Sequence, residues 1–281
     1  MIKVEKLYFS YSKTPFIKDI DFTVEKGEIF GFLGPSGSGK TTLQKILTGL
    51  LTKYKGSAMV DGMECKHRTN NFYENIGVDF EFSTLYEKLT ARQNLEFFSS
   101  LYKKKSYSID DLLERMGLEN DADKRASDYS KGMKSRLNFI RALLHDPNII
   151  FLDEPTSGLD PTNSRLMKDI ILAEKAKGKT IILTTHNMLD ATELCDKVAF
   201  IVNGEVCALD SPHNLIMSKG AVTVTYTYYE QGEKSAVCLL KEISEDTRLQ
   251  HLIENNKLLS IHTNEPTLND IFMDITGRTL L

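Results

Sequence analysis

Residues Gly34-Pro35-Ser36-Gly37-Ser38-Gly39-Lys40-Thr41 hold a glycine, four free positions and then Gly-Lys-Thr, the spacing of a loop that cradles phosphate. Glycines let the backbone curl so that successive N–H groups face one anion, at the positive end of the helix that follows. Lys40 is long enough to reach the β- and γ-phosphates of a nucleoside triphosphate, and the Thr41 hydroxyl suits Mg²⁺. Before the loop, Glu28-Ile29-Phe30-Gly31-Phe32-Leu33 reads as a short buried strand; after it, Thr42-Leu43-Gln44-Lys45-Ile46-Leu47 opens a helix. A glycine-rich turn that binds nothing is the competing reading, and the strand–loop–helix context weighs against it.

A second group of residues points to hydrolysis. Asn148-Ile149-Ile150-Phe151-Leu152-Asp153-Glu154 is an apolar run that ends in two acids, as a fully buried parallel strand would. At its carboxyl end Asp153 is placed to join the Mg²⁺ shell, and Glu154 to orient an attacking water. The bland alternative is two acids that merely end a strand at the surface. Thr180-Ile181-Ile182-Leu183-Thr184-Thr185 reads as another buried strand, and it delivers His186 to the same edge, within reach of a γ-phosphate.

Between and beyond these motifs the chain resembles the ATP-binding cassette (ABC) family. Asp128-Tyr129-Ser130-Lys131-Gly132-Met133-Lys134-Ser135-Arg136-Leu137 is similar to its signature sequence. Pro155-Thr156-Ser157-Gly158-Leu159-Asp160-Pro161 is similar to its D-loop, and Thr185-His186-Asn187 to its switch histidine. Tyr11 fits the aromatic that stacks on adenine, although Tyr8 and Phe9 are close by and an aromatic in an N-terminal strand is often core. In order, these motifs cover residues 1 to about 210.

The resemblance implies a phosphate-loop NTPase fold of the α/β class. It would have a mixed-sheet core, an antiparallel β subdomain, an inserted helical subdomain at about 82–145, and a small C-terminal α+β appendage. It implies ATP and Mg²⁺ as ligands, with Gly34 through Thr42 and Tyr11 on the nucleotide and Thr41 and Asp153 on the metal. It also implies that two cassettes, expected as a homodimer, sandwich two ATP molecules. Ser130, Gly132 and Asp160 of one subunit would then face the nucleotide of the other. Two departures stand out. Lys131 and Met133 occupy places where the family usually has Gly and Gln. The glutamine that the family uses to touch metal and sense its membrane partner falls on Glu81. A carboxylate there can ligate Mg²⁺ but adds charge beside a triphosphate, and a solvent-facing Glu81 is the alternative.

The remaining sequence fits a cytoplasmic protein that reaches the membrane through a partner. The net charge is −4, with no basic field for nucleic acid. No apolar stretch approaches the ~18 residues that span a bilayer, and Met1-Ile2-Lys3-Val4-Glu5 lacks the apolar core of a secretion signal. Cys65, Cys195, Cys207 and Cys238 have neither metal-type nor redox-type spacing. Asp61-Gly62 and Asn203-Gly204 read as hairpin turns, and Asp160-Pro161 as a helix start. Texture changes near Gly220, where Ala221 to Tyr228 alternates like a strand, so residues 1–220 form the expected ATP-binding domain and 221–281 the appendage. The function expected is an ATP-hydrolysing exporter subunit on a separate permease. A soluble ABC ATPase of ribosomes or chromosomes is the alternative, less favoured because two cassettes and a long coiled coil are both lacking.

Overall fold

Short runs of buried β-branched and aromatic residues organise the chain around one parallel sheet. A computed structural model describes residues 1–80, 84–103, 107–218, 220 and 223–277. The elements run β1 (Ile2–Phe9), β2 (Ile17–Val24), β3 (Ile29–Leu33), α1 (Lys40–Leu47), β4 (Tyr54–Val60), β5 (Met63–Glu64), α2 (Asn70–Asn75) and β6 (Ile76–Asp79). Next come α3 (Ala91–Ser100), α4 (Ile109–Arg115), α5 (Lys131–Leu143), β7 (Ile149–Asp153), α6 (Pro161–Ala176), β8 (Thr180–Thr185), α7 (Met188–Leu194), β9 (Lys197–Val202) and β10 (Glu205–Asp210). Then α8 (Pro212–Met217), β11 (Thr223–Tyr229), β12 (Glu233–Leu239), α9 (Thr247–Glu254), β13 (Leu258–Asn264) and α10 (Leu268–Thr276) complete the described chain.

The central sheet has the order β10-β9-β3-β8-β7-β6, with β9, β3, β8, β7 and β6 pairing in parallel. Every residue of β3, β7 and β8 is buried, which is why these strands read as unbroken apolar runs. An antiparallel sheet β2-β1-β4-β5 packs beside it. Phe22 of β2 stacks on Phe30 of β3 with ring centroids 5.3 Å apart, so the two sheets share one core. Both expected hairpin turns occur, with left-handed φ at Asp61, Gly62, Asn203 and Gly204.

Helices α3, α4 and α5 are inserted between β6 and β7, and α5 presses directly on β6. A β-carbon on Gly77 would lie 2.1 Å from the Ala142 carbonyl oxygen, so only glycine permits that approach. Further along the same pair, His145 Nε2 lies 2.9 Å from the Ile76 carbonyl oxygen, and its ring stacks on Tyr102 at 3.7 Å. Ser130 caps α5 and Asp160 caps α6, each accepting from the backbone N–H three residues on, and Pro161 follows Asp160 as the sequence indicates.

The chain divides between Leu209 and Asp210 into two compact units. The second therefore begins upstream of the change in texture at Gly220 and includes α8, which packs against α10. Its sheet β12-β11-β13 is antiparallel, and α9 seats Leu249 and Leu252 against Tyr226 and Tyr228. Ala221 and Val222 lie outside the described residues.

One buried carboxylate ties the inserted helices to the core. Glu174 of α6 lies 3.0 Å from Arg115 at the end of α4, 2.8 Å from Lys177 and 2.7 Å from Lys179. Burial works against its ionisation, but hydrogen bonds from Lys177, Lys179 and Arg115 prevail and hold it down at about 2. Its stabilisation is thus complete above its ordinary value of 4.5 and is lost as pH falls through about 2. Glu174→Gln should cost about 3 kcal/mol at pH 7, since it removes the carboxylate shared by Arg115, Lys177 and the buried Lys179, which keeps only Asp146. Urea denaturation should show a smaller difference at pH 3, and a gap of equal size at both pH values would contradict this account.

Candidate active site

The phosphate loop leaves the carboxyl end of β3 in the middle of the sheet. Gly34 has φ +153, and a β-carbon there would sit 2.1 Å from the Ile201 carbonyl oxygen on β9. The buried Lys40 folds back over its own loop, where Nζ donates to the carbonyls of Gly34 at 2.7 Å and Pro35 at 3.1 Å. The Ser38 hydroxyl is buried with no hydrogen-bond partner among the described residues. An orphan of that kind inside an N–H-lined loop fits a polar ligand. Around it lies a cleft of about 260 Å³, walled by Ser36 through Thr42 and by Phe16, Glu154, Ser157 and His186.

Asp153 of β7 gathers the loop, although β8 separates its strand from β3. Thr41 Oγ1, on the first turn of α1, donates to both Asp153 oxygens at 3.1 and 3.0 Å. Thr184 Oγ1 donates to Oδ1 at 2.5 Å. One turn into α1, the buried Gln44 donates to the Leu152 carbonyl at 2.8 Å and locks the helix against β7. A hydroxyl and a carboxylate converge here as hard oxygen donors, a set that fits Mg²⁺ beside a phosphate chain.

Glu154 leaves the strand abruptly, with a left-handed φ of +52. A non-glycine residue held there costs of order 1 kcal/mol or more. Its N–H is fastened to Thr184, 3.1 Å from the carbonyl oxygen and 3.2 Å from Oγ1. That turn swings the carboxylate into the cleft, where Oε2 lies 2.9 Å from Nδ1 of the half-exposed His186.

Tyr11 stands at the edge of this cleft. Its hydroxyl is 3.1 Å from Thr42 Oγ1, and its ring meets Phe16 edge-on at 5.5 Å. Tyr8 points elsewhere and hydrogen-bonds to Asp19, which raises its pKa.

Lys40, Thr41, Asp153, Glu154 and His186 are therefore brought together, whereas Ser130, Gly132 and Asp160 do not line their own subunit's cleft. The Ser130 hydroxyl accepts from Met133 N–H at 3.2 Å, and Asp160 accepts from Asn163. Glu81 lies outside the described residues.

Sequence reasoning passed over Thr184, Gln44, Phe16 and Asp79. The first three carry no motif of their own. Asp79, an acid in an apolar strand, was a visible signal. It is buried at the end of β6, where Asn138 of α5 donates to its carboxylate and, at 3.3 Å, to the Phe80 carbonyl. Burial pushes the Asp79 carboxyl up to about 7, against the pull of Arg141 and of the Asn138 hydrogen bond. Together with Asp153, Glu154, Lys131 and Ser157 it lines a second cleft of about 360 Å³.

Known proteins resemble this chain in sequence and fold. A family model described as ABC transporter matches residues 17–157. The fluoroquinolones export ATP-binding protein of Mycobacterium tuberculosis (strain CDC 1551 / Oshkosh) is 46% identical over 284 residues, covering 100% of this chain and 94% of that protein. The Nod factor export ATP-binding protein I of Rhizobium meliloti (strain 1021) is 35% identical over 300 residues, covering 99% and 89%. Among solved structures, one described as the ATP-binding subunit of an ABC transporter superposes with a TM-score of 0.71 at 27% identity, covering 78% of this chain and 93% of that one.

The aromatic edge yields a direct test. Stacking of a base on an aromatic ring is worth about 1–3 kcal/mol, so Tyr11→Ala should weaken nucleotide binding by about one to two decades. Phe16→Ala should weaken it as well, and Tyr11→Phe should cost little. Calorimetric titration with a non-hydrolysable nucleotide measures all three. A loss confined to Tyr8→Ala would assign the adenine to the other face of the strand.

Proposed function

The chain belongs to the ABC transporter family, and from that premise we propose that it is the ATP-hydrolysing subunit of an exporter, working as a dimer on a separate permease. The observation that carries the reading is the convergence of Thr41 and Thr184 on Asp153, with the Glu154–His186 pair beside it in the phosphate-loop cleft.

Lys40 now holds two neutral carbonyls, and phosphate oxygens offer it stronger, charge-assisted bonds in exchange. Loop N–H groups and the Ser38 hydroxyl take the remaining phosphate oxygens. When bound, Mg²⁺ neutralises phosphate charge as a Lewis acid, held by Thr41 and Asp153. Glu154 orients the attacking water and draws its proton. With Nδ1 held on the Glu154 carboxylate, His186 turns its Nε2 edge towards a γ-phosphate oxygen. Ser130, Gly132 and Asp160, unused by their own cleft, complete the site of a second subunit.

The names of the relatives support export over action on ribosomes or chromosomes. Those two relatives are named for chemically unrelated cargoes, and in this reading the membrane partner chooses the cargo. No helix among the described residues is long and apolar enough to cross a membrane; in this reading the permease holds the cassette at the inner face. Around α3, Tyr86, Phe97 and Leu101 are exposed, and Tyr86 packs on Phe97 at 4.9 Å. An outward aromatic cluster of this kind suits the permease contact.

Glu154→Gln should retain ATP and accumulate a dimer, while turnover falls on the order of 10²–10⁴-fold. Lys40→Ala should lose binding instead and stay monomeric. Size-exclusion chromatography with ATP separates the two outcomes. Normal hydrolysis by Glu154→Gln would refute the assignment.

A further inference from the structure

Lys131 occupies a signature position where glycine is usual, and the structure gives its long side chain a definite seat. Its Nζ, Cε and Cδ lie 3.4, 3.6 and 4.0 Å from where a β-carbon on Gly158 would sit. Beside it, Leu159 Cδ2 lies 3.5 Å from the corresponding point on Gly132. Two consecutive signature residues thus lie alongside two consecutive residues of the loop that begins at Glu154, close enough that a β-carbon on either glycine would meet the facing side chain at van der Waals distance. That loop is internally bonded. Ser157 N–H donates to the Glu154 carbonyl at 3.0 Å, and Leu159 N–H to the Thr156 carbonyl at 3.2 Å. Thr156 Oγ1 in turn donates to Asp190 at 2.7 Å. The segment between Glu154 and Gly158 is therefore short and braced.

Electrostatics alone would not put a lysine there. Lys131 is the first residue of α5, at the positive end of the helix, with Lys134 on the same turn and no acidic residue to compensate. No ion pair or hydrogen bond engages its ammonium among the described residues. It shares the second cleft with Asp153 and Glu154 instead. A local rule broken without a local gain marks a position kept for another purpose.

We propose that Lys131 is a positioning residue whose stem ties the signature helix to the loop carrying Glu154. Engagement of the signature by a second subunit is thereby transmitted to the hydrolytic carboxylate of the subunit that owns the signature. This rests on the dimeric ATPase reading above and deepens it, because it supplies a route by which one nucleotide site conditions the other.

Hydrogen exchange of residues 155–160 in the nucleotide-free protein reads the contact itself. Lys131→Gly should speed exchange several-fold, and Lys131→Met, whose unbranched chain still covers Gly158 without the charge, should leave it near wild type. ATP titrations of turnover read the consequence. Lys131→Gly should lower kcat several-fold and bring the Hill coefficient towards one, with KM changed by less than about twofold. Lys131→Met should restore kcat and cooperativity together, which a mere loss of stability would not reproduce. Unaltered exchange in Lys131→Gly overturns the proposal, and so do an unaltered kcat and Hill coefficient. Glu154→Gln keeps the contact, so its failure to dimerise with ATP would sink the dimeric reading, while the exchange result still judges the tether.

Discussion

The site is built on a carboxylate that cannot be left alone. Asp153 is buried at the end of an all-apolar strand, and an ion in that position needs partners to offset its lost hydration. The parallel register sets Asp153 opposite Thr184, and Leu33 opposite Thr185, so three strand ends finish at one level. Thr184 then reaches Asp153 across neighbouring strands, and Thr41 reaches it from the helix that follows the loop. Gln44 fixes that helix to β7. Loop, metal-suited oxygens and hydrolytic residue are all referred to this one carboxylate.

A second anchoring problem is solved on the far side of the sheet. The inserted helices must present the signature outward while staying registered to the core. Close backbone contact at Gly77 fastens α5 to β6, and the Glu174 cluster fastens α4 to α6. Asp79 and Asn138 add a buried polar contact on the segment leading to residues 81–83. Buried polar groups of this kind specify one arrangement strongly, because any other leaves them unpaired. Ser130 and Gly132 thus stay out of their own phosphate-loop cleft, which leaves them available to a second subunit.

Residues that violate local preference cluster around the hydrolytic loop. Glu154 adopts a left-handed backbone, the Ser38 hydroxyl is buried without a partner, and Lys131 faces a helix dipole of like sign. None of these helps an isolated segment fold. Each fits a ligand or a second subunit that arrives with phosphate charge.

The sequence by itself determined whatever depends on contiguous residues. The glycine and lysine spacing of the phosphate loop, the Asp-Gly and Asn-Gly hairpins, the Asp160-Pro161 helix start and the apolar runs of β3, β7 and β8 are all local, because backbone sterics and hydrogen bonding act over a few positions. Only the tertiary structure decided which distant groups meet. Thr41 and Asp153 are 112 positions apart, Gln44 and Leu152 are 108, and Asn138 and Asp79 are 59. Threonine and glutamine have no motif that announces such a role, since a hydroxyl or amide acquires one only from the partner that strand order and register bring to it. Phe16 entered the cleft, Lys131 found its seat on Gly158, and Glu174 gathered its three cations for the same reason: packing chooses neighbours that no short stretch of chain can specify.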